Sequence, residues 1–412
     1  MTLRRVISSS LSPNTEWGDV LAALRILFSP SRWKNGKEIL QIESWFKRRF
    51  KTNSAVSFNS GRSALLAILY AFDIGWRDEV LIQVFTCVAV PNSVRWAGAK
   101  PVYVDIDETY NIDPKDAKTK ISKKTKAIIV QHTFGTPAKM DELLSIARAH
   151  NIILIEDCAH ALGATYKGKS VGGLGDACFF SFGRDKVVSS VFGGLAIIAD
   201  VHKKQQRKLV EFRNKLSCPS VFWIARQLLH PIAFSIILPM YTMEIGKVLL
   251  CMLQKLKLLS FPVYPEEKKG EKPDIFPSKY PNALACLLLP QLAKLDRYND
   301  RRKKTAEYYR AAIRQGVNIT MPPEVQGAIY LRFPAEVPDP DRFHKIAKSN
   351  GVLLGNWYHC VIDPCGVAHD AVGYKKGSCP AAEEASCGII NLPTLILPEQ
   401  AARISYLLKH AA

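Results

Sequence analysis

Two side chains near the middle of the chain have the types and the spacing that a pyridoxal phosphate site requires. Asp157 closes an apolar run, IILIED, and Lys186 follows a second strand-like run, CFFSF. A carboxylate at the end of a strand can keep a pyridine nitrogen protonated, and a lysine amine can form a Schiff base with the aldehyde of that cofactor. We therefore take Asp157 and Lys186 as candidate catalytic residues and pyridoxal 5'-phosphate as the candidate cofactor.

A glycine turn upstream offers a place for a phosphate group. The segment SFNSGRSALLAILYAF predicts a short strand, a turn, and an apolar helix that begins at about Gly61. Gly61, Arg62 and Ser63 would then present free backbone N–H groups at a helix N-terminus, which is a geometry that binds phosphate. Taken alone, Ser-Gly before a helix more often marks a plain helix cap.

The elements that must position these residues alternate between strands and helices. Near-continuous apolar runs, such as VLIQVF and KAIIVQHTFG, are separated by segments with helical spacing. This order predicts an α/β fold with a mostly parallel central sheet covered on both faces. Ligands of such sheets bind at the carboxyl ends of the strands. The polar residues expected at those ends are Thr86, His132, Asp157 and His160.

Composition shifts along the chain predict four segments. Residues 1–50 read as an N-terminal arm with helices, which we expect to dock on the main domain or on a partner subunit, and 51–217 as a large cofactor-binding domain. Residues 218–265 form an apolar insert. Residues 266–412 comprise a linker, within the charged stretch PEEKKGEKPD, and a small C-terminal α+β domain.

The insert has two interpretations, which the sequence leaves open. Seventeen residues, 227–243, contain no Asp, Glu, Lys or Arg, but Pro231 and Pro239 interrupt them, and a spanning helix needs about 20 residues. Flanking basic residues favour a segment that lies in a membrane interface, so peripheral membrane contact through 218–260 is one hypothesis. The other is a helical pair packed on the main domain or on a partner subunit.

Composition limits the class of protein. With 412 residues, 48% hydrophobic and 23% charged, the chain is long enough for two globular domains. The net charge of +19 favours anionic partners, but no nucleic-acid-binding signature accompanies it, so no nucleic acid is expected. Ten cysteines without a CxxC pair predict neither a zinc site nor a disulfide framework. Together with the polar residues after Arg4 and Arg5, they predict a cytoplasmic protein.

Several blocks, in a fixed order, resemble the DegT/DnrJ/EryC1/StrS family of sugar aminotransferases. They include NSGRSALLAIL, GAKPVYVDID, the long block HTFGTPAKMDELLSIARAHNIILIEDCAHALGATYKGKSVGGLGDACFFSF, and GYKKGSCPAAEEASCGIINLPT. The resemblance implies fold type I and pyridoxal phosphate as cofactor. It places Lys186 at the Schiff-base lysine, Asp157 at the partner of the pyridinium nitrogen, and Ser181 at a hydroxyl that contacts the phosphate. Gly61, Arg62 and Ser63 match the family's phosphate turn.

Four positions depart from the family pattern. His160 replaces a Gln beside the cofactor's phenolic oxygen and can donate the same hydrogen bond, so it is kept as cofactor-binding. Cys87 replaces a Trp or Phe over the ring, and Phe192 replaces an acidic residue before the paired glycines. The Asn-x-Arg segment that the family supplies to the phosphate across a dimer is replaced by PSKYPNA, with Ser278 or Lys279 as stand-ins.

The resemblance also implies a reaction. We expect the protein to transfer an amino group from glutamate, the donor that the family likeness suggests, to a nucleotide-linked keto-sugar in cell-envelope or antigen glycan biosynthesis. The resemblance also implies a homodimer. Relatives that deoxygenate sugars carry His in place of the lysine, and Lys186 argues against that chemistry. The alternative is a membrane-associated protein of glycan assembly on the same fold, with reduced or different chemistry such as sugar dehydration. Trp357, Tyr358 and His359 either face the substrate or pack.

Overall fold

A computed structural model describes residues 6–313 and 319–411. Arg4 and Arg5, which entered the expectation about the N-terminus, lie outside the described residues. The helices run as follows: α1 Trp17–Leu27, α2 Lys37–Phe50, α3 Gly61–Ala71, α4 Ala89–Trp96, α5 Pro114–Thr119, α6 Met140–His150, α7 Lys203–Lys215, α8 Val221–Ile237, α9 Ile245–Lys255, α10 Pro265–Lys268, α11 Asn282–Ala293, α12 Leu295–Ile313, α13 Pro340–Ser349, α14 His369–Val372, α15 Pro380–Gly388 and α16 Pro398–Ala411.

A seven-stranded sheet forms the centre of the molecule, in the order β1-β7-β6-β5-β4-β2-β3. Only β7 runs antiparallel to its two neighbours, and the other pairs are parallel. The predicted mostly parallel sheet is therefore confirmed. Its strands are β1 Val56–Phe58, β2 Glu79–Gln83, β3 Lys100–Val104, β4 Thr125–Gln131, β5 Ile153–Asp157, β6 Ala177–Ser181 and β7 Gly194–Ile198.

Helices cover both faces of this sheet. Along β2, Val80 and Ile82 belong to one buried cluster, which includes α3 and α4, whereas Leu81 belongs to another, which includes α5 and α6. Successive side chains of a strand point to opposite faces, so a strand buried on both faces must be apolar throughout. This requirement explains the unbroken apolar runs of the sequence.

The C-terminal part of the chain builds a smaller layer of its own. Arg332–Glu336 and Ile389–Pro393 pair as an antiparallel two-stranded sheet. Apolar side chains of α12, α13 and α16 form a separate buried cluster with this sheet. The N-terminal arm joins the same region, because Ile7 pairs with Val352 and Ser8 with Leu353 in a short parallel ladder.

The insert folds into two helices against the rest of the chain. Helix α8 packs on α1 and α11, and Leu238–Met243 continues it as a 3-10 turn before α9. The expectation that Pro231 interrupts the helix is wrong, since α8 continues through it to Ile237. By length and composition one helix, Val221–Tyr241, could cross a membrane, but half of its most apolar window is buried in the protein.

Two further expectations differ from the structure. The charged stretch after the insert is not a simple exposed linker, because Pro265–Lys268 forms a helical turn and Glu267 is fully buried. The expectation of no disulfide is wrong at one place, where Cys360 and Cys365 are bonded with their Cα atoms 5.5 Å apart. The chain between these two cysteines turns back on itself, and sequence spacing alone does not reveal such a turn.

Candidate active site

A cavity of about 360 Å³ opens at the carboxyl ends of the parallel strands. Strands β1, β4, β5 and β6 all end at this edge, so the residues that follow them meet although they are far apart in sequence. Most of the predicted catalytic and cofactor-binding residues line the cavity: Gly61, Arg62, Cys87, Asp157, His160, Ser181 and Lys186, but not Ser63.

The predicted phosphate turn forms the N-terminus of α3. The Ser60 hydroxyl caps the helix by accepting from the Ser63 N–H at 3.1 Å. The Ser63 hydroxyl is directed away from the cavity and donates to Asn59 Oδ1 at 2.7 Å. The turn packs tightly, since a Cβ atom on Gly61 would lie 3.0 Å from Ser181 Cβ. Glycine at this position brings the backbone of the turn and the Ser181 hydroxyl to the same side of the cavity.

The Arg62 side chain turns away from this turn toward the end of the insert. Its guanidinium forms an ion pair with the buried Glu267 and donates to the Pro262 carbonyl at 2.9 Å. The guanidinium carbon also lies 4.7 Å from the centre of the Phe276 ring. The charge of Arg62 is therefore balanced within the chain.

The acidic pair at the end of β5 divides into a structural residue and a cavity residue. Glu156 is fully buried and accepts backbone N–H groups of Gly172, Leu174 and Gly175 at 2.7 to 2.8 Å. Its neighbour Asp157 points to the opposite face, as strand alternation requires, and lines the cavity. Glu156 thus fixes a loop, whereas Asp157 faces the site.

Asp157 is a carboxylate in a dry environment. Burial raises its pKa to about 6, while the Ala159 N–H that donates to Oδ1 at 2.9 Å acts in the opposite direction. A buried carboxylate with few donors gains most from a cationic partner. A protonated pyridine nitrogen is such a partner.

Lys186 and His160 form a hydrogen-bonded pair, with Nζ 3.0 Å from Nε2. The other ring nitrogen of His160, Nδ1, accepts the Phe134 N–H at 3.3 Å, so the proton of a neutral imidazole lies on Nε2. Burial lowers the pKa of His160 and, as the largest cause, also that of Lys186. These directions agree with a neutral imidazole that donates to an uncharged lysine amine.

Hydrogen bonds from two distant residues fix the backbone that carries Lys186. Asn14 of the N-terminal arm donates to the carbonyl oxygens of Lys186 and Val187 at 2.8 and 3.0 Å. The buried Arg302 donates to Asn14 Oδ1 and also to the Val187 carbonyl. The arm therefore positions the lysine, a role that the expectation of a docking arm did not specify.

Cys87 and Thr86 occupy the strand end next to the lysine. Burial raises the pKa of the Cys87 thiol to about 11, so it stays protonated and packs as a small apolar group. Thr86 donates to Gln131 Oε1 at 2.6 Å, and Gln131, which sequence reasoning missed, lines the cavity. His132 is structural, since it contacts Glu156 at 3.2 Å.

The C-terminal part contributes residues that sequence reasoning missed or left undecided. Trp357 and Tyr358 line the cavity, and the Trp357 ring stacks on His160 with centroids 5.0 Å apart. His359 lies outside the cavity wall and contacts Asn356 and Asp363. Arg332 is fully buried beside Trp357 and was not predicted. Its one sequence signal is a charged residue inside the apolar strand GAIYLRF.

The proposed stand-ins for the family's cross-dimer ligand lie elsewhere in this chain. The Ser278 hydroxyl donates to the Ile275 carbonyl at 2.8 Å, and Lys279 bridges to Phe58. Neither residue lines the cavity. Their contact with a phosphate remains a prediction.

Fold and cavity together define the class of protein. A glycine-lined turn beside a serine hydroxyl, a buried carboxylate and a buried lysine whose pKa is lowered by burial fit the chemistry of pyridoxal phosphate. This is the arrangement of a pyridoxal phosphate-dependent transferase. The family model of the DegT/DnrJ/EryC1/StrS aminotransferases matches residues 17–216 and 267–404, and the chain belongs to this family.

Comparison with individual proteins gives the same class. The chain is 27% identical over 381 residues to the pleiotropic regulatory protein of Geobacillus stearothermophilus, covering 91% of this chain and 89% of that protein. It is 40% identical over 166 residues to the GDP-perosamine synthase of Caulobacter vibrioides, covering 40% of this chain and 45% of that protein. The structure of DesV from S. venezuelae superposes with a TM-score of 0.73 at 23% identity, covering 96% of this chain and 94% of that one, and shows the fold.

These findings confirm the predicted family, fold type, sugar aminotransferase activity and pyridoxal phosphate dependence. The family match also leaves out residues 217–266. The family model thus does not describe the insert.

Proposed function

We propose that this chain transfers an amino group from glutamate to a nucleotide-linked keto-sugar, for a glycan of the cell envelope or of an antigen. The observation that carries the proposal is the amine of Lys186, which is hydrogen-bonded to His160 at 3.0 Å in the same cavity as the buried Asp157. A lysine that acts as a base needs a neutral amine at the working pH. Burial lowers the pKa of Lys186 and so favours the neutral form.

We assign the cofactor contacts to the predicted residues. Asp157 would pair with the pyridine nitrogen, His160 with the phenolic oxygen, and Cys87 would pack on the ring. Backbone N–H groups of Gly61, Arg62 and Ser63 together with the Ser181 hydroxyl would hold the phosphate. When bound, pyridoxal phosphate supplies an electron sink for a carbanion at the amino donor.

Lys186 carries the proton transfer. Its Nζ would take a proton from the Cα of the bound donor and deliver it to C4′ of the cofactor, and would move a proton in the reverse direction when the keto-sugar is aminated, a role worth about 10² to 10⁴ in rate for a positioned base. His160 keeps Nζ oriented by donating to it, while Asn14 and Arg302 fix the backbone below. Trp357 and Tyr358 line the cavity, and the Trp357 ring centre lies 4.4 Å from Lys186 Nζ.

The acceptor class is supported by charge and by relatives. The net charge of +19 suits an anionic substrate. The relatives include a GDP-perosamine synthase from Escherichia coli O157:H7 and a dTDP-3-amino-3,6-dideoxy-alpha-D-galactopyranose transaminase from Aneurinibacillus thermoaerophilus. Both names contain a nucleotide-linked amino sugar.

A substrate panel tests this proposal. Purified enzyme loaded with pyridoxal phosphate is assayed with glutamate and a set of nucleotide-linked keto-sugars, and 2-oxoglutarate is measured. We expect turnover with at least one keto-sugar, and loss of about 10³-fold or more in Lys186→Ala. The exposed Lys167→Ala serves as the matched control and should keep full activity. A donor panel that prefers another amino acid would overturn the glutamate assignment alone.

We also infer the division into an arm at 1–50, a cofactor-binding domain at 51–217, an insert at 218–265 and a C-terminal domain at 266–412, and a homodimer. Exposed apolar side chains on α1, Trp17 and Leu21, and the exposed Phe28 directly after it support a subunit contact there. Light scattering on the wild type and on Trp17→Glu is the test. A monomeric wild type at micromolar concentration would contradict it.

We further propose that the protein is cytoplasmic and that its insert makes peripheral contact with an anionic membrane surface. Helix α9 exposes a stripe at helical spacing, with Ile245 46%, Val248 67%, Met252 48% and Leu256 61% exposed. Lysines beside this stripe, Lys247, Lys255 and Lys257, complement anionic headgroups. The opposite side of α9, including Leu249 and Leu253, packs on α8.

Vesicle flotation distinguishes the possible occupants of this stripe. We expect the full-length protein to float with vesicles that contain phosphatidylglycerol, to float less at high salt, and to stay in solution as Val248→Glu/Leu256→Glu. The matched control is Leu40→Glu, another exposed leucine, outside the insert. A double variant that instead loses its dimer would show that the stripe is a subunit contact, and unchanged flotation would contradict the membrane proposal.

A further inference from the structure

Arg184 is a buried cation in the wall of the cavity, two residues before the lysine. Its side chain lines the cavity and is only 8% exposed. Among the residues that the structure describes, neither Nε nor Nη2 has a hydrogen-bond partner, although both atoms are buried. Unsatisfied buried donors are uncommon, because each costs the free energy of its lost hydration.

The surroundings of Arg184 do not balance its charge. The guanidinium carbon lies 5.6 Å from the centre of the Phe192 ring, and Phe192 packs against Trp223, Tyr264 and Phe276. Desolvation lowers the pKa of Arg184 to about 10, so the side chain remains charged at neutral pH. Asp185 attracts it, but the described part of the chain shows no ion pair between them, and the Asp185 carboxylate is paired with Arg332.

Arg62 provides an internal comparison. Both arginines line the same cavity and both lie on aromatic rings of one stacked pair, Phe276 and Phe192. Arg62 has Glu267 and a carbonyl as partners, whereas two donors of Arg184 have none among the described residues. Burial alone therefore does not explain why these donors of Arg184 lack hydrogen-bond partners. A ligand in the cavity can supply acceptors for the guanidinium.

The chemistry of these donors selects an anion with several oxygens. Nε and an Nη atom of one guanidinium form a planar fork that fits two oxygens of a phosphoryl group. The same cavity is lined by the turn at Ser60 and Gly61 and by Ser181. Apolar residues at the end of the insert, 261–263, also line it. Apolar surroundings strengthen the attraction between the guanidinium group and an anion.

We propose that Arg184 binds the phosphoryl group of a ligand in this cavity through its guanidinium group. The inference rests on the proposed function, which supplies two sources of that group: the phosphate of the cofactor and the diphosphate of a nucleotide-linked sugar. Arg184 is a binding residue in this assignment and takes no part in proton transfer.

Binding measurements on Arg184→Met separate the two sources. Dissociation constants are measured for pyridoxal phosphate and for pyridoxal with the cofactor-free protein, and for uridine diphosphate with the cofactor-loaded protein. If the cofactor is the source, the constant for pyridoxal phosphate rises about tenfold or more and that for pyridoxal does not change. If the substrate is the source, only the constant for uridine diphosphate rises by this factor. Changes below twofold for all three ligands overturn the proposal.

Controls keep the result independent of folding and of the acceptor assignment. Arg297→Met removes an exposed arginine outside the cavity and should leave all three constants unchanged. Thermal unfolding of cofactor-free Arg184→Met should occur at or above the wild-type temperature, since the variant removes unsatisfied donors. If this variant does not fold, Arg184→Lys keeps the charge without the fork and should show an intermediate loss. Wild-type protein that binds pyridoxal phosphate but no nucleotide would refute the proposed acceptor and leave the cofactor measurement decisive for Arg184.

Discussion

The guanidinium carbon of Arg332 lies 3.3 Å from the centre of the Trp357 ring, and Lys186 Nζ lies 4.4 Å from the same centre. One indole thus connects a buried arginine of the C-terminal part with the lysine of the large sheet. Arg332 also pairs with Asp185, the residue before the lysine, at 3.2 Å. The two parts of the chain therefore meet through charges that face the amine.

Removing Arg332 should change the pH at which the enzyme becomes active. The positive charge of Arg332 lowers the pKa of Lys186 and of His160, so Arg332→Met should raise both. The acidic limb of the kcat/KM profile would then move to higher pH, and the free energy of unfolding would fall by about 1–3 kcal/mol as Asp185 loses its partner. The exposed Arg342→Met is the control, and an unmoved acidic limb would contradict the prediction.

Asp157→Asn should change how the stability of the cofactor-free protein depends on pH. The folded pKa of about 6 lies above the ordinary aspartate value of 3.8, so Asp157 contributes stability that is fully present below pH 3.8 and is lost as the pH rises through 6. The variant should match the wild type near pH 4 and exceed it near pH 8 by up to about 3 kcal/mol. Denaturant unfolding at both pH values checks this, with Asp370→Asn as an exposed control. Equal stabilities at pH 8 would refute it.

Substitutions at His160 should separate its hydrogen bond from its ring. His160→Gln keeps a donor toward Lys186 Nζ and should retain kcat within about threefold, whereas His160→Leu should lose about 10- to 100-fold. The pair is compared at saturating substrate with the absorbance of the bound cofactor as a check on loading. If both variants lose activity equally, the stacking of the imidazole on Trp357 matters more than the hydrogen bond.

The second paired glycine should be essential for the phosphate turn. A Cβ atom on Gly194 would lie 2.3 Å from the Ser60 carbonyl oxygen and 2.5 Å from the Gly61 nitrogen. Gly194→Ala must therefore push the turn away from β7, with an expected loss of about 1–3 kcal/mol in stability and weaker binding of pyridoxal phosphate. Gly18→Ala, where a Cβ meets nothing within 4 Å, is the matched control. Unchanged affinity would show that the turn adapts.

The sequence predicted those elements that depend on residues close to one another in the chain. Apolar runs predicted the sheet, because a strand buried on both faces must be apolar along its length, and Asp157 and Lys186 follow from their positions at strand ends. Arg332 was missed because its neighbours in space, Trp357 and Asp185, are distant in the chain. Pro231 misled the prediction for α8, since packing against α1 outweighs the local cost of a proline in a helix.

The point where the insert rejoins the family's fold limits how the chain can be rearranged. The family match resumes at Glu267, and this residue holds Arg62 at the start of the phosphate turn. Pro262, inside the added segment, accepts a hydrogen bond from the same arginine. A chimera that exchanges the insert with that of a relative, or a loop that shortens it, must therefore end before Pro262 to keep the turn intact. The C-terminal end of the insert is therefore tied directly to the phosphate turn.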